Sequence, residues 1–296
     1  MYLNRYNRLK NNVYLLFVLM IYRMSIEKQD NPGLLSLLPD QGMKDHIASL
    51  RYAKMIQHAL MPNPAMLKGM LKDYFILFLP RDIVSGDFYY AFCTRQKMCI
   101  AAGDCTGHGV PGALMSILGI SFLNEIMQSD VNLNLNANRI LNLMREKIMK
   151  ALHQTGDYHD AQDSIDIGIC IIDCPTGKLQ YSGANRPLIM IRNGELSEFK
   201  PDKMTLGVAP IREASFTNIC IETKPGDSFY LFSDGFSDQF GEITDKKFKY
   251  KHFKRIIHSF EELPMEQQKQ RLESAFNEWK GKTQQVDDVL IVGFQL

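Results

Sequence analysis

Several kinds of metal and nucleic-acid site have no footing in this chain. Its six cysteines (Cys93, Cys99, Cys105, Cys170, Cys174 and Cys220) include no C-x-x-C pair, and its seven histidines include no H-x₃-H pair, so a zinc site has no sequence support. Cysteines scattered in this way read as reduced, buried residues of a cytoplasmic protein. A dominant charge is missing too. The formal net charge is +1, which removes the electrostatic case for nucleic acid as a partner. Val13–Tyr22 (VYLLFVLMIY) is ten residues long, well short of the about 20 that a membrane-spanning helix needs. There is no internal repeat and no low-complexity tract. What is there, 45% hydrophobic and 23% charged residues in a chain of 296, fits a globular core in one large domain or two ordinary ones.

Residues 1–42 form an apolar segment and linker with no clear fold. Arg5, Arg8 and Lys10 precede the run 13–22, like a signal peptide, but no small-residue cleavage site follows. The segment reads as a weak membrane-surface anchor, a fragment of a longer upstream region, or an untranslated start ahead of Met24 or Met43, with the last two favoured. Asp30–Gly42, bounded by Pro and Gly, reads as linker. A helix is expected over residues 43–60, with Ile47, Leu50, Ala53, Ile56 and Leu60 on one face and Pro62 and Pro64 as its stop. That face either packs on its own domain or pairs with a second copy of the chain.

The rest, residues 65–296, reads as one domain of α+β class. Strands are expected at Tyr74–Leu79, Phe88–Phe92, Met98–Ala102, Ile165–Ile171, Leu179–Ser182, Pro187–Ile191, Leu196–Phe199, Phe216–Glu222, Phe229–Phe232 and Val289–Phe294. Helices are expected at 112–127, at 137–153 with Ile140, Leu141, Met144, Ile148 and Leu152 as the apolar stripe, at 247–259 and at 264–280. Asn193-Gly194 between two strands is a hairpin signal, and hairpins mean antiparallel pairing rather than a doubly wound parallel sheet.

The chemistry lies in carboxylates that share one context. Asp87, Asp104, Asp234 and the Asp287-Asp288 pair each stand at the end or start of an apolar strand, next to Gly or another Asp. Carboxylates gathered at one sheet edge repel one another unless a cation sits among them. Two Mg²⁺ or Mn²⁺ ions roughly 4 Å apart would supply hydroxide at neutral pH and clamp the oxygens of a phosphoryl group. The plainer reading is that each Asp caps a turn; the recurrence of the context favours metal.

Four motifs in this order, SGD at 85–87, GDCTGHGVPGALM at 103–115, FSDG at 232–235 and DDVLIV at 287–292, resemble the metal-dependent phosphatases of the protein phosphatase 2C superfamily. Within it, the chain resembles the branch typified by stage II sporulation protein E. YAKMIQHALMP at 52–62, YSGANRPLI at 181–189 and FSDGFSDQFG at 232–241 carry the same resemblance. It implies a sandwich of two antiparallel β-sheets flanked by helices, two Mn²⁺ or Mg²⁺ ions, and hydrolysis of phosphoserine or phosphothreonine by metal-activated water. By the same resemblance, Asp104 bridges the ions and the Cys105 carbonyl is a ligand. Asp234 and Asp287 complete the first ion, and Asp87 acts directly or through bound water. Gly235 lets the chain turn sharply after its ligand.

The chain departs from the eukaryotic branch at three points. Thr106 stands where that branch has a His held to be the general acid, and the nearby His is His108, so the role is not carried over. Gly86 stands where that branch has a metal-binding Glu. Its phosphate-binding Arg has no clean counterpart, and Arg81 is the nearest candidate for substrate binding. Asp163 and Asp166 could serve a third ion, but the alternating strand around them favours a structural role. The basic cluster from Lys246 to Arg255 reads as a solvated face or as a dock for an acidic or phosphorylated partner. The implied partners are a phosphorylated regulator, by resemblance an anti-sigma-factor antagonist, and an upstream sensor. An inactive signalling module of the same fold and a two-metal hydrolase of a small phosphoester are the rival readings.

Overall fold

A computed structural model describes residues 40–129, 135–155, 161–208 and 214–296. The expected apolar segment at 13–22 and most of the expected linker lie outside the described residues. Ten strands are present among the latter: β1 Asp73–Leu79, β2 Phe88–Cys93, β3 Lys97–Cys105, β4 Ile165–Asp173, β5 Leu179–Ala184, β6 Leu188–Arg192, β7 Glu195–Phe199, β8 Ile219–Ile221, β9 Ser228–Phe232 and β10 Val289–Gln295. The helices are α1 Asp40–Leu60, α2 Pro64–Met70, α3 Gly109–Ser129, α4 Ala137–Ala151, α5 Gly235–Asp238, α6 Tyr250–Ser259 and α7 Met265–Lys280. Contacts divide the chain into Met1–Ser49 and Leu50–Leu296; the second unit holds both sheets.

One sheet has the order β1-β10-β9-β6-β7 and the other β2-β3-β4-β5-β8, all pairs antiparallel. They stack face to face over Ile100, Cys170, Tyr181, Leu188, Leu231 and Phe294. On the outer face of the first sheet, Phe75, Tyr230 and Ile291 meet Phe253, Leu272 and Phe276 of α6 and α7. α3 and α4 cover the outer face of the second. The architecture is the expected α+β sandwich flanked by helices.

Sequence patterns explain most of this. In α4, Ala137, Ile140, Leu141, Met144 and Ile148 are fully buried, and each large apolar side chain contributes about 1.5–3 kcal/mol. The turn Asn193-Gly194 carries positive φ at both residues (49° and 80°), as a two-residue hairpin between β6 and β7 requires. IDIGICI alternates in sequence, yet only Asp166 of that run escapes burial, because β4 is the central strand of its sheet with a layer on each side.

Other expectations need correcting. Pro64 does not merely end a helix. It opens α2, since its missing N–H is one that a first helical turn leaves unpaired anyway. α1 starts at Asp40, inside the expected linker. β8 is shorter than Phe216–Glu222 because Phe216 is drawn aside: its N–H donates to Asn142, its carbonyl accepts from Asn138, and Arg145 lies over its ring. Only Cys99, Cys105 and Cys170 are buried; Cys93, Cys174 and Cys220 are exposed.

Candidate active site

The site forms where ends of the two sheets meet. Asp104 is the last residue but one of β3, and the antiparallel register places it directly opposite Asp166 at the start of β4. Asp234 follows β9 and Asp287 precedes β10, neighbouring strands of the other sheet. Together with Arg186 and the Cys105–Gly107 turn, these four carboxylates line a cavity of about 200 Å³. Like charges directly opposite in a ladder are destabilising. The group that makes the Asp104–Asp166 pairing tolerable is Arg186. Its Nη2 lies 2.9 Å from Asp104 Oδ2, 2.8 Å from Asp234 Oδ2 and 3.5 Å from Asp166 Oδ2.

Asp87 is outside the cavity wall, fully buried, and its Oδ2 has no hydrogen-bond partner. Burial, and then the Asp104 charge, push its carboxyl far above the usual range, with Ser233 opposing. Burial likewise pushes Asp104 up to about 7; Arg186 works against this, while Asp234, Asp287 and Asp166 add to it. Asp287 is raised by burial, against the hydrogen bond from the Asp288 N–H. Proximity to a carboxylate cluster does not activate the Cys105 thiol: burial and the surrounding negative charges hold it protonated.

Neighbouring elements fix these groups in place. Asp288 does not line the cavity. It is buried, and its carboxylate accepts from the Arg81 and Gly86 N–H groups at 2.7 Å each, which ties the 81–86 loop to the start of β10. A Cβ at Gly86 would sit 2.6 Å from the Gly107 carbonyl oxygen, so no larger residue fits between the two loops. Gly235, expected to let the chain turn sharply after Asp234, does not adopt positive φ. It is required by close approach, since a Cβ there would collide with the Asp288 carbonyl. The next residue, Phe236, anchors the Asp234 loop among Phe248, Phe253 and Phe276, with ring centroids 5.1–5.2 Å apart.

On the far side of the 81–86 loop, Gln57 of α1 is buried. Its amide accepts from the Ser85 N–H (3.1 Å) and donates to the Ser85 carbonyl (2.5 Å) and to Ser116 Oγ (2.7 Å). Arg81 is exposed, donates Nη1 to the Val286 carbonyl at 3.0 Å and is not in the cavity wall. His108 pairs with Asp82 at 2.9 Å. Asp163 is also outside the wall.

Sequence reasoning assigned no role to Arg186 and favoured a structural one for Asp166. The signal for the first is the SGANRP turn. Asn185 adopts φ 56° there, and Tyr181 Oη donates to the Arg186 carbonyl at 2.6 Å, which aims the side chain at the cavity. Asp166 becomes visible only through the register of β3 and β4.

The donor set suits hard divalent ions: carboxylates from two sheets, a carbonyl-bearing glycine turn, and a buried carboxylate oxygen with no partner. Among the described residues, no three carboxylate, imidazole or thiol groups are gathered closely enough to hold an ion as they stand. They are spread around Arg186, whose guanidinium occupies the centre of the charge.

Comparison with known proteins agrees with this architecture. The family model described as Stage II sporulation protein E (SpoIIE) matches residues 94–296, well over half of the chain. No curated protein matches. Among solved structures, the SiaA-PP2C domain of Pseudomonas aeruginosa is 29% identical, with TM-score 0.77 over 86% of this chain and 98% of that one. The structure of the PP2C phosphatase domain and a fragment of the regulatory domain of SpoIIE from Bacillus subtilis is 17% identical. Its TM-score is 0.60, over 76% of this chain and 63% of that one. The catalytic domain of the serine threonine protein phosphatase PstP in complex with 2 manganese ions is 16% identical, with TM-score 0.53 over 75% of this chain and 96% of that one. The latter two share the fold. The chain belongs to the stage II sporulation protein E family and is a phosphoprotein phosphatase of the protein phosphatase 2C type.

Proposed function

We propose that this phosphatase uses two Mn²⁺ or Mg²⁺ ions to hydrolyse phosphoserine or phosphothreonine on a bacterial signalling regulator. The observation that carries the reading is the convergence of Asp104, Asp234 and Asp287 from two sheets on one small cavity, with buried Asp87 behind them. Asp104 would lie between the ions, Asp234, Asp287 and the Cys105 carbonyl would hold the first, and Asp87 would act directly or through water. Such ions, when bound, lower the pKa of water and neutralise phosphoryl oxygens. The chain's own contribution is rigidity. Asp288 and Gln57 fix the 81–87 loop, and Phe236 fixes the Asp234 turn, so little reorganisation is left for the moment of reaction. Arg81, hydrogen-bonded one residue before Asp287, is proposed to meet the substrate phosphate.

The proposed substrate is a phosphorylated anti-sigma-factor antagonist, and the proposed input is an upstream sensor. Among the fold neighbours are the RsbU and RsbW domains of a Mycobacterium tuberculosis protein (TM-score 0.56, 19% identical). The site is proposed to work in the cytoplasm. Along α1, Tyr52, Met55 and Ile56 are 65%, 67% and 45% exposed, an apolar face proposed to pair with a second copy. Met55→Glu with Ile56→Glu should turn a concentration-dependent dimer into a monomer in sedimentation; an unaltered profile would leave the face without a partner.

The deciding experiment is manganese-dependent phosphate release from phosphorylated regulators, beside free phosphoserine and nucleotides. Release from the phosphoprotein alone, abolished in Asp104→Asn, is expected. Release from the small esters alone would make this a different hydrolase, and no release from any would mark an inactive module.

A further inference from the structure

Arg186 is opposite in sign to its surroundings but matches them neither in number of charges nor in hydrogen-bond geometry. Three carboxylate oxygens, from Asp104, Asp166 and Asp234, surround a single nitrogen, Nη2, which has only two N–H bonds to offer. The Nε–H of the same guanidinium is buried with no acceptor at all. The side chain is 14% exposed, so this donor is not compensated by bulk water. A guanidinium built to stay would present its fork edge-on to a carboxylate, in two parallel bonds. This one is held by the field of the cluster.

Its backbone, by contrast, is firmly placed. The Arg186 N–H donates to the Ala184 carbonyl at 2.7 Å, and its carbonyl accepts from buried Tyr181. Asn185 donates to the other Asp166 oxygen at 3.0 Å, which leaves Asp166 held independently of the arginine. The side chain can therefore leave without disturbing the turn that carries it.

We infer that Arg186 is a resident counter-cation that competes with divalent metal for Asp104 and Asp234, so that binding an ion and docking the guanidinium exclude one another. This rests on the proposal that these carboxylates hold metal. Arg186 shields the like-charged pair Asp104 and Asp166 in the metal-free chain and keeps metal affinity low. An entering ion must displace one positive charge from the same oxygens, and the displaced guanidinium is left at the cavity wall. Arg186 is thereby a determinant of metal affinity, not a ligand.

The test is Mn²⁺ binding by calorimetry to the full chain, without substrate, for wild type, Arg186→Gln and Arg186→Lys. Arg186→Gln should bind at least about tenfold tighter, and its metal-free melting temperature should fall and recover on adding Mn²⁺. Arg186→Lys keeps the charge and should stay near wild type in affinity, which a merely structural role for the arginine would not produce. In wild type, where folding is not in question, the guanidinium NMR signals of Arg186 should shift when diamagnetic Mg²⁺ binds. Equal or weaker Mn²⁺ binding by a folded Arg186→Gln, or Arg186 signals indifferent to bound Mg²⁺, would overturn the inference. If none of the three proteins binds Mn²⁺ at millimolar concentration, the metal reading of the site falls and this inference with it. If instead Mn²⁺ binds equally to all three, only the role of Arg186 fails.

Discussion

Two arginines six residues apart in sequence do opposite things with the aspartates they face. Arg192, at the end of β6, meets Asp227 in a fork: Nε to Oδ1 at 2.8 Å and Nη2 to Oδ2 at 2.6 Å. Asp227 takes a further bond from the Lys224 N–H, and Arg192 a further acceptor in the Glu222 carbonyl. One charge faces one charge, and the hydrogen bonds are matched. Arg186, just ahead of the same strand, faces three carboxylates through one nitrogen and leaves another donor idle. A structural ion pair closes its charge balance internally, whereas the cavity beside Arg186 stays short of positive charge, as a site for an external cation must.

The largest expected effect is on stability with and without metal. Arg192→Ala strands Asp227, which is 1% exposed, and should lower the melting temperature by several degrees whether or not manganese is present. Arg186→Gln should lower it only in the metal-free chain. Differential scanning calorimetry with and without Mn²⁺ separates the two; equal rescue of both variants by manganese would break the contrast.

A smaller effect concerns pH. Burial pushes the folded Asp104 carboxyl up to about 7, against 3.8 ordinarily. Between those values Asp104 makes the folded chain bind more protons than the unfolded one, so its contribution to metal-free stability falls as pH rises through that window, and buried Asp87, raised as well, acts in the same direction. The melting temperature should drop by a few degrees from pH 5 to pH 8, about 1 kcal/mol or more in a domain of this size. Asp104→Asn should make the slope shallower, and an unchanged slope would assign the proton to the other raised carboxyls, Asp87 and Asp287.

The smallest expected effect is on chemistry at Cys105. Under the proposed function its carbonyl, not its thiol, would serve as a ligand, and burial keeps the thiol protonated. Cys105→Ala should keep its turnover and lose about 1 kcal/mol of stability by thermal unfolding. Loss of phosphate release with the fold intact would move the thiol into the mechanism.

How far the sequence reads depends on whether a feature is local. The contexts of Asp104, Asp234 and Asp287 are local, an apolar strand running into a carboxylate and a glycine or second Asp, and the structure brings all three to one cavity. The β6–β7 hairpin and the α4 stripe are local as well. Asp166 and Arg186 are not. Asp166 matters because β3 and β4 pair in one register, and a shift of one residue would point it away. Arg186 matters because a positive-φ Asn and a tyrosine hydroxyl aim a turn that looks ordinary as text. Pro64 misled for another reason: proline stops one helix and starts the next with equal ease, and only tertiary packing says which.

The amide of Gln57 has a mechanical consequence. α1 advances about 100° per residue, so a rotation by a single position would swing Gln57 away and bring another side chain to face Ser85. Three hydrogen bonds would then be lost together, two of them to the backbone of the residue that leads into Gly86 and Asp87. The helix and the loop are thus geared by one tooth. A turn of α1 that reaches the loop through Gln57 arrives two residues from the buried carboxylate of Asp87.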